Sequence, residues 1–142
     1  MPHLARLAAT AAVFLSFVAS ASAATTVNVV ETGEGGGPMT LEIDKVEIHA
    51  GPTLFDVKND AATEEHELIL VRLNSADAQI PLDSKSQRID EENLLSLGEV
   101  EDLKPGESGT LSADLVPGTY LLFCNIKGHY NSGMHARLNV VE

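Results

Sequence analysis

Cys124-Asn125-Ile126-Lys127-Gly128-His129-Tyr130-Asn131-Ser132-Gly133-Met134 places a thiol, an imidazole and a thioether on one short run near the C-terminus. The run is entered from Gly118-Thr119-Tyr120-Leu121-Leu122-Phe123 and left through His135-Ala136-Arg137-Leu138-Asn139-Val140-Val141. Both flanks are short and apolar, and in the second Ala136, Leu138 and Val140 alternate with more polar neighbours, so both read as strands. A strand, a loop carrying three donor side chains and a returning strand are β structure, and together with the short strands punctuated by turns along the rest of the chain they read as an all-β sandwich. Gly128 and Gly133 let that loop turn beside the donors without a Cβ clash. Thiolate and thioether are soft donors that favour Cu(I), while imidazole also suits Cu(II). Two His and one Cys with a weak axial Met form the donor set of electron-transfer copper sites.

The second His has to come from outside the run. His66 opens the apolar stretch Glu64-Glu65-His66-Glu67-Leu68-Ile69-Leu70-Val71, where a strand end can reach the loop from across a sandwich. Its rivals are His49, which precedes the turn Ala50-Gly51-Pro52, and His135, which strand alternation aims away from Met134. Each residue also has a bland reading. Cys124 is the only cysteine, and a free Cys is commonly a small buried hydrophobe. His66 alone would be an ordinary strand-edge histidine, and Met134 a core residue. Those readings leave the spacing of Cys124, His129 and Met134 unexplained.

The run and its flanks resemble the cupredoxins, the blue copper family. The resemblance extends from about Met39 to Val141, is strongest from Pro117 onward and is weakest between Asn74 and Lys104. It implies a Greek-key β-sandwich and one copper ion, cycling between Cu(I) and Cu(II), held by His66, Cys124, His129 and Met134. One position departs from the pattern. Many cupredoxins carry Asn after the first His, tying the ligand loops together, and here that position is Glu67.

The first residues read as an export signal, with Arg6 as the positive start, Ala8 to Ala19 as a short apolar core and Ala21-Ser22-Ala23 as a cleavage site. Residues 1–23 are therefore expected to be a signal peptide and residues 24–142 a single cupredoxin-like domain, periplasmic or otherwise exported. The signal is too short for a spanning helix, so no stable membrane insertion is expected after its removal. Arg6 is its only charged residue, which leaves 8 Lys plus Arg against 21 Asp plus Glu, a formal net charge of −13. Phosphate binding needs a basic surface, so nucleic acid is excluded as a partner. An acidic domain instead attracts a basic redox partner or metal cations, or is merely kept soluble by its charge.

Strand signals run over Thr25 to Val30, Met39 to Asp44, Thr53 to Asn59, His66 to Leu73, Gly109 to Leu115, Thr119 to Cys124 and His135 to Val141. Turn clusters separate them at Glu34 to Pro38, Ala50 to Pro52, Lys104 to Gly106 and Val116 to Gly118. Asn74 to Asp102 has few turn glycines and several acids, and Ile89-Asp90-Glu91-Glu92-Asn93-Leu94-Leu95 predicts a short helix within a long excursion.

Three function classes compete. The resemblance implies an electron carrier that docks to an exported cytochrome or oxidase. The same ligands suit a copper buffer that hands its ion to a copper acceptor protein for tolerance or oxidase assembly. An enzyme is not expected, because copper oxidases need further His-rich motifs and this chain has no His-x-His. Zinc accepts thiolate and imidazole as well, but the thioether and the loop frame favour copper.

Overall fold

The computed structural model describes residues 23–142; the expected signal, residues 1–23, lies all but wholly outside the described residues. Eleven strands follow one another: β1 (Thr25–Gly33), β2 (Met39–Ile43), β3 (Glu47–His49), β4 (Gly51–Asn59), β5 (His66–Arg72), β6 (Leu82–Asp83), β7 (Arg88–Ile89), β8 (Leu95–Leu103), β9 (Ser108–Leu115), β10 (Gly118–Phe123) and β11 (His135–Val141). One sheet has the order β2-β1-β4-β9, the second β3-β11-β10-β5-β8, and β6 and β7 form a separate pair. The chain crosses between the two main sheets at β2 to β3, β3 to β4, β4 to β5, β8 to β9 and β9 to β10. β1 pairs with β4 and β11 with β3 in parallel, and the remaining pairs are antiparallel.

Alternation explains which face each strand buries. Val27 and Val29 of β1, Leu41 of β2, and Phe55 and Val57 of β4 face Leu68 and Leu70 of β5, Tyr120 and Leu122 of β10, and Leu138 and Val140 of β11 across the sandwich. Each such aliphatic or aromatic side chain contributes roughly 1.5 to 3 kcal/mol by leaving water. β5 and β10 do not alternate, because both of their faces are covered. Ile69, Val71, Leu121 and Phe123 form a second cluster on the outer face with Leu73 and Ile89, packed by Ala78, Ile80, Leu94 and Tyr130. The excursion between β5 and β8 thus forms a third layer over the strands that lead into the donor loop.

The helix expected over Ile89 to Leu95 is absent, and no helix occurs among the described residues. β7 ends at Ile89, a turn closed by the Leu94 N–H to Glu91 carbonyl bond follows, and β8 begins at Leu95. Pairing with neighbouring strands overrides the helical spacing, since Ile89 packs onto the outer cluster and β8 lies antiparallel to β5.

β10 is aimed by the turn before it. The Tyr120 hydroxyl donates to the Val116 carbonyl at 2.7 Å and accepts from the Val116 N–H at 3.2 Å, while its ring is buried in the core. The resulting clasp fixes the direction in which β10 delivers Cys124.

Candidate metal centre

His66 is the first residue of β5, and its side chain shares the inward face with Leu68 and Leu70. Cys124 directly follows β10, in step with Tyr120 and Leu122 on the same inward face. The register Leu122 to Leu70 and Phe123 to Ile69, extended along the strands, sets Asn125 opposite Glu67. His66 and Cys124 are thereby brought to one end of the sandwich core, and both are 0 % exposed.

The loop folds His129 back over that end. His129 N–H donates to the Ile126 carbonyl at 2.9 Å, and its own carbonyl accepts from Met134 N–H and Ser132 N–H at 3.1 Å each. Cys124 N–H donates to the Met134 carbonyl at 3.1 Å, which carries the β10–β11 ladder one step beyond the strands. Gly133 adopts φ 115°, and a Cβ there would lie 2.5 Å from the Met39 carbonyl oxygen, so the loop seats against the start of β2 only with glycine at this point.

His66 Nδ1 lies 3.2 Å from His129 Nδ1, and Cys124 Sγ lies 3.4 Å from the same His129 nitrogen. The donor atoms of the three residues all fall within 4.8 Å of one another. Metal bonds of about 2.0 Å to nitrogen and 2.3 Å to sulfur place ligand atoms that share one ion roughly 3.2 to 3.7 Å apart, so the spacing suits a single ion. Two facing Nδ1 atoms satisfy each other only if one carries the proton, whereas a cation engages both lone pairs at once. Met134 is buried on the same loop, bonded through its backbone to both Cys124 and His129. Of the residues expected from sequence, His66, Cys124 and His129 bring their donor atoms together, and Met134 is buried on the same loop; two imidazoles, a thiolate and a thioether are together a donor set that fits copper.

The rival histidines lie elsewhere. His49 is exposed, with Nδ1 2.5 Å from the carbonyl oxygen of Glu142. His135 is exposed and stacks on Tyr130 with ring centroids 4.5 Å apart, and Tyr130 meets Phe123 edge-on.

Burial governs the electrostatics. The Cys124 thiol is pushed up to about 12, chiefly by desolvation. Desolvation also holds both imidazoles below their ordinary range, with repulsion from His66 adding to the effect at His129. In the metal-free protein the pocket therefore favours a neutral thiol and neutral imidazoles.

Glu67 takes up the bridging task that its identity put in question. Its Oε1 accepts from the Asn125 backbone N–H at 3.0 Å, joining the β5 ligand strand to the Cys124 loop. Burial raises its carboxyl, and the Asn125 N–H and Arg88 act in the opposite direction. Sequence reasoning missed Glu31, whose side chain is 0 % exposed with both carboxylate oxygens unpartnered. The signal was available, since Glu31 continues the inward alternation of Val27 and Val29.

The sulfocyanin (SoxE) domain matches residues 3–142. No curated protein matches the chain. Among solved structures, auracyanin A, described as a blue copper protein of Chloroflexus aurantiacus, is 26 % identical, with 82 % of this chain and 99 % of that one covered and a TM-score of 0.54. Dithionite-reduced auracyanin from the photosynthetic bacterium Roseiflexus castenholzii is 22 % identical over 85 % of this chain and 100 % of that one, with a TM-score of 0.55. Rusticyanin from Thiobacillus ferrooxidans is 18 % identical over 84 % of this chain and 79 % of that one, with a TM-score of 0.60. With the domain matched over nearly the whole of this chain and the sandwich shared with these blue copper cupredoxins, the chain belongs to the sulfocyanin (SoxE) domain family of the cupredoxin fold.

Proposed function

We propose that this chain is an exported electron carrier that binds one copper ion through His66, Cys124, His129 and Met134, and that it catalyses no reaction by itself. The observation that carries the reading is the convergence of His66 Nδ1, His129 Nδ1 and Cys124 Sγ in a buried pocket. Bound copper supplies a one-electron couple between Cu(I) and Cu(II). The chain contributes donors whose positions are fixed in advance by β5, β10 and the hydrogen-bonded loop, which limits rearrangement when the charge changes. His129 is 6 % exposed against 0 % for His66, Cys124 and Met134, so of the four residues it is the one that solvent reaches, which supports it as the point of electron entry and exit.

Burial of the donors favours a carrier over a buffer, because handing copper to an acceptor protein requires access to the ion. The partner is a redox protein such as a cytochrome or oxidase, and the acidity of the chain favours a basic docking face on it. The test is copper titration of the protein from residue 24 onward, followed by visible spectroscopy, voltammetry and electron self-exchange. One copper per chain, an intense thiolate charge-transfer band and a reversible one-electron couple are expected. A folded, copper-loaded protein without that band overturns the site. A normal band combined with rapid transfer of copper to an acceptor apoprotein and no reversible couple overturns the carrier role in favour of the buffer.

A further inference from the structure

Asn125 is 4 % exposed, and its whole side-chain amide is committed to the excursion that lies outside the two main sheets. Its Oδ1 accepts from Ile89 N–H at 2.6 Å, and its Nδ2 donates to the Ile89 carbonyl at 3.0 Å and to Glu91 Oε1 at 2.6 Å. An amide offers a donor and an acceptor side by side, so it engages both the N–H and the carbonyl of Ile89 as a neighbouring antiparallel strand would. A second tie runs from Gly128 N–H to the Gln87 carbonyl at 3.0 Å. Gln87 is held at φ 55°, a backbone conformation disfavoured for a residue with a Cβ. Because the backbone N–H of Asn125 is bonded to Glu67, three segments meet at this one residue: the start of β5, the donor loop and β7.

We propose that Asn125 is a positioning residue through which the β6–β7 excursion holds the donor loop, keeping the spacing of Cys124 and His129 the same in both oxidation states. The inference rests on the copper-carrier reading above. Asn125 immediately follows one donor and stands four residues before the other. Between them the loop has no strand partner, and its fastening to the excursion consists of the Asn125 amide and Gly128 N–H. Without the Asn125 grip, that stretch keeps the Gly128 bond and the packing of Tyr130 but loses its hold next to Cys124, so it relaxes more readily when the charge of the site changes, and relaxation of this kind slows electron transfer.

The experiment compares Asn125→Asp, the double variant Asn125→Asp with Glu91→Gln, and Asn125→Ala. Aspartate keeps the acceptor for Ile89 N–H but turns a carboxylate toward the Ile89 carbonyl and Glu91. Glutamine at position 91 returns a donor and restores the net charge. In metal-free protein, Asn125→Asp is expected to speed amide exchange at Ile89 and Gly128 about tenfold or more. In copper-loaded protein it should slow electron self-exchange by about the same factor and shift the thiolate band, and the double variant, which restores the bond to residue 91 but not the one to the Ile89 carbonyl, should recover all three readouts in part. Asn125→Ala should move them in the same direction as Asn125→Asp, and if it does not fold, the isosteric pair decides the matter. Faster amide exchange with an unchanged band and unchanged self-exchange would make Asn125 purely structural and overturn the proposal, as would a double variant that recovers nothing. Failure of the copper reading would appear in the wild type itself, as a missing thiolate band. Failure of the present inference would appear only in the variants.

Discussion

His66 Nδ1 and His129 Nδ1 face each other across 3.2 Å although 63 positions separate them in the chain. Neither the strand nor the loop forms a site by itself; the pocket exists only where the start of β5 and the end of β10 lie side by side. Its properties can therefore be altered separately from the fold, through the donors, or together with it, through the loop's seat on the sandwich.

The metal-free thiol should be inert. Cys124 is fully buried and pushed up to about 12, so it remains protonated at neutral pH and should react with thiol reagents at least about a hundredfold more slowly than in the unfolded chain. Loading with copper should release the thiol proton, so binding should tighten as pH rises. Reagent kinetics and proton release in weakly buffered solution check both points. Cys124→Ser should abolish the visible band.

Met134 is expected to tune the site. Met134→Leu should keep copper bound and raise the reduction potential, since loss of a donor disfavours Cu(II) more than Cu(I). Voltammetry together with metal analysis is the check. Complete loss of copper would show Met134 to be a primary ligand.

Glu31 gives the fold a pH dependence of its own. Its carboxyl is raised from 4.5 to about 8, by burial first and by nearby Glu67 second. At Glu31 the folded state therefore binds more protons than the unfolded chain between those values, so the stability that this residue contributes is fully present below about 4.5 and is lost as pH rises through about 8. The size of the decline is on the order of a few kcal/mol. Denaturant unfolding of metal-free protein from pH 5 to 9 should show it in the wild type, and a flatter profile in Glu31→Gln.

Gly133→Ala should be costly. The substitution sets a Cβ 2.5 Å from the Met39 carbonyl oxygen at φ 115°, with an expected loss of roughly 2 to 4 kcal/mol. Gly36→Ala, also at positive φ (83°) but with nothing within 4 Å of the added carbon, should lose only about 1 kcal/mol. Thermal unfolding of the two variants separates the clash from the backbone strain.

Strands whose two faces differ in polarity were legible in the sequence, as at Met39–Ile43 and His135–Val141. β5 and β10 were legible as apolar runs, although the cover on their outer face was not. β8 escaped notice because Glu99, Glu101 and Asp102 interrupt its apolar pattern, as befits a strand at the edge of its sheet. β3 is too short to signal itself. The convergence of His66, Cys124 and His129 was legible because donor chemistry constrains residue type. The Glu67 bridge and the Asn125 grip were not, because each depends on a register that only the paired strands establish.

The parallel pairing of β11 with β3 has a consequence for the order of assembly. Antiparallel neighbours can zip from a turn, but β3 and β11 join segments almost a hundred residues apart in sequence, a slow class of contact. β11 is also the strand that anchors the far end of the donor loop through the Cys124 to Met134 bond. The loop itself closes while β3 is still unpaired, because β10 and β11 are antiparallel neighbours joined by it, so once β5 has joined β10 the site is complete before the sheet is, and stopped-flow refolding with metal present should show its optical signal preceding the docking of β3.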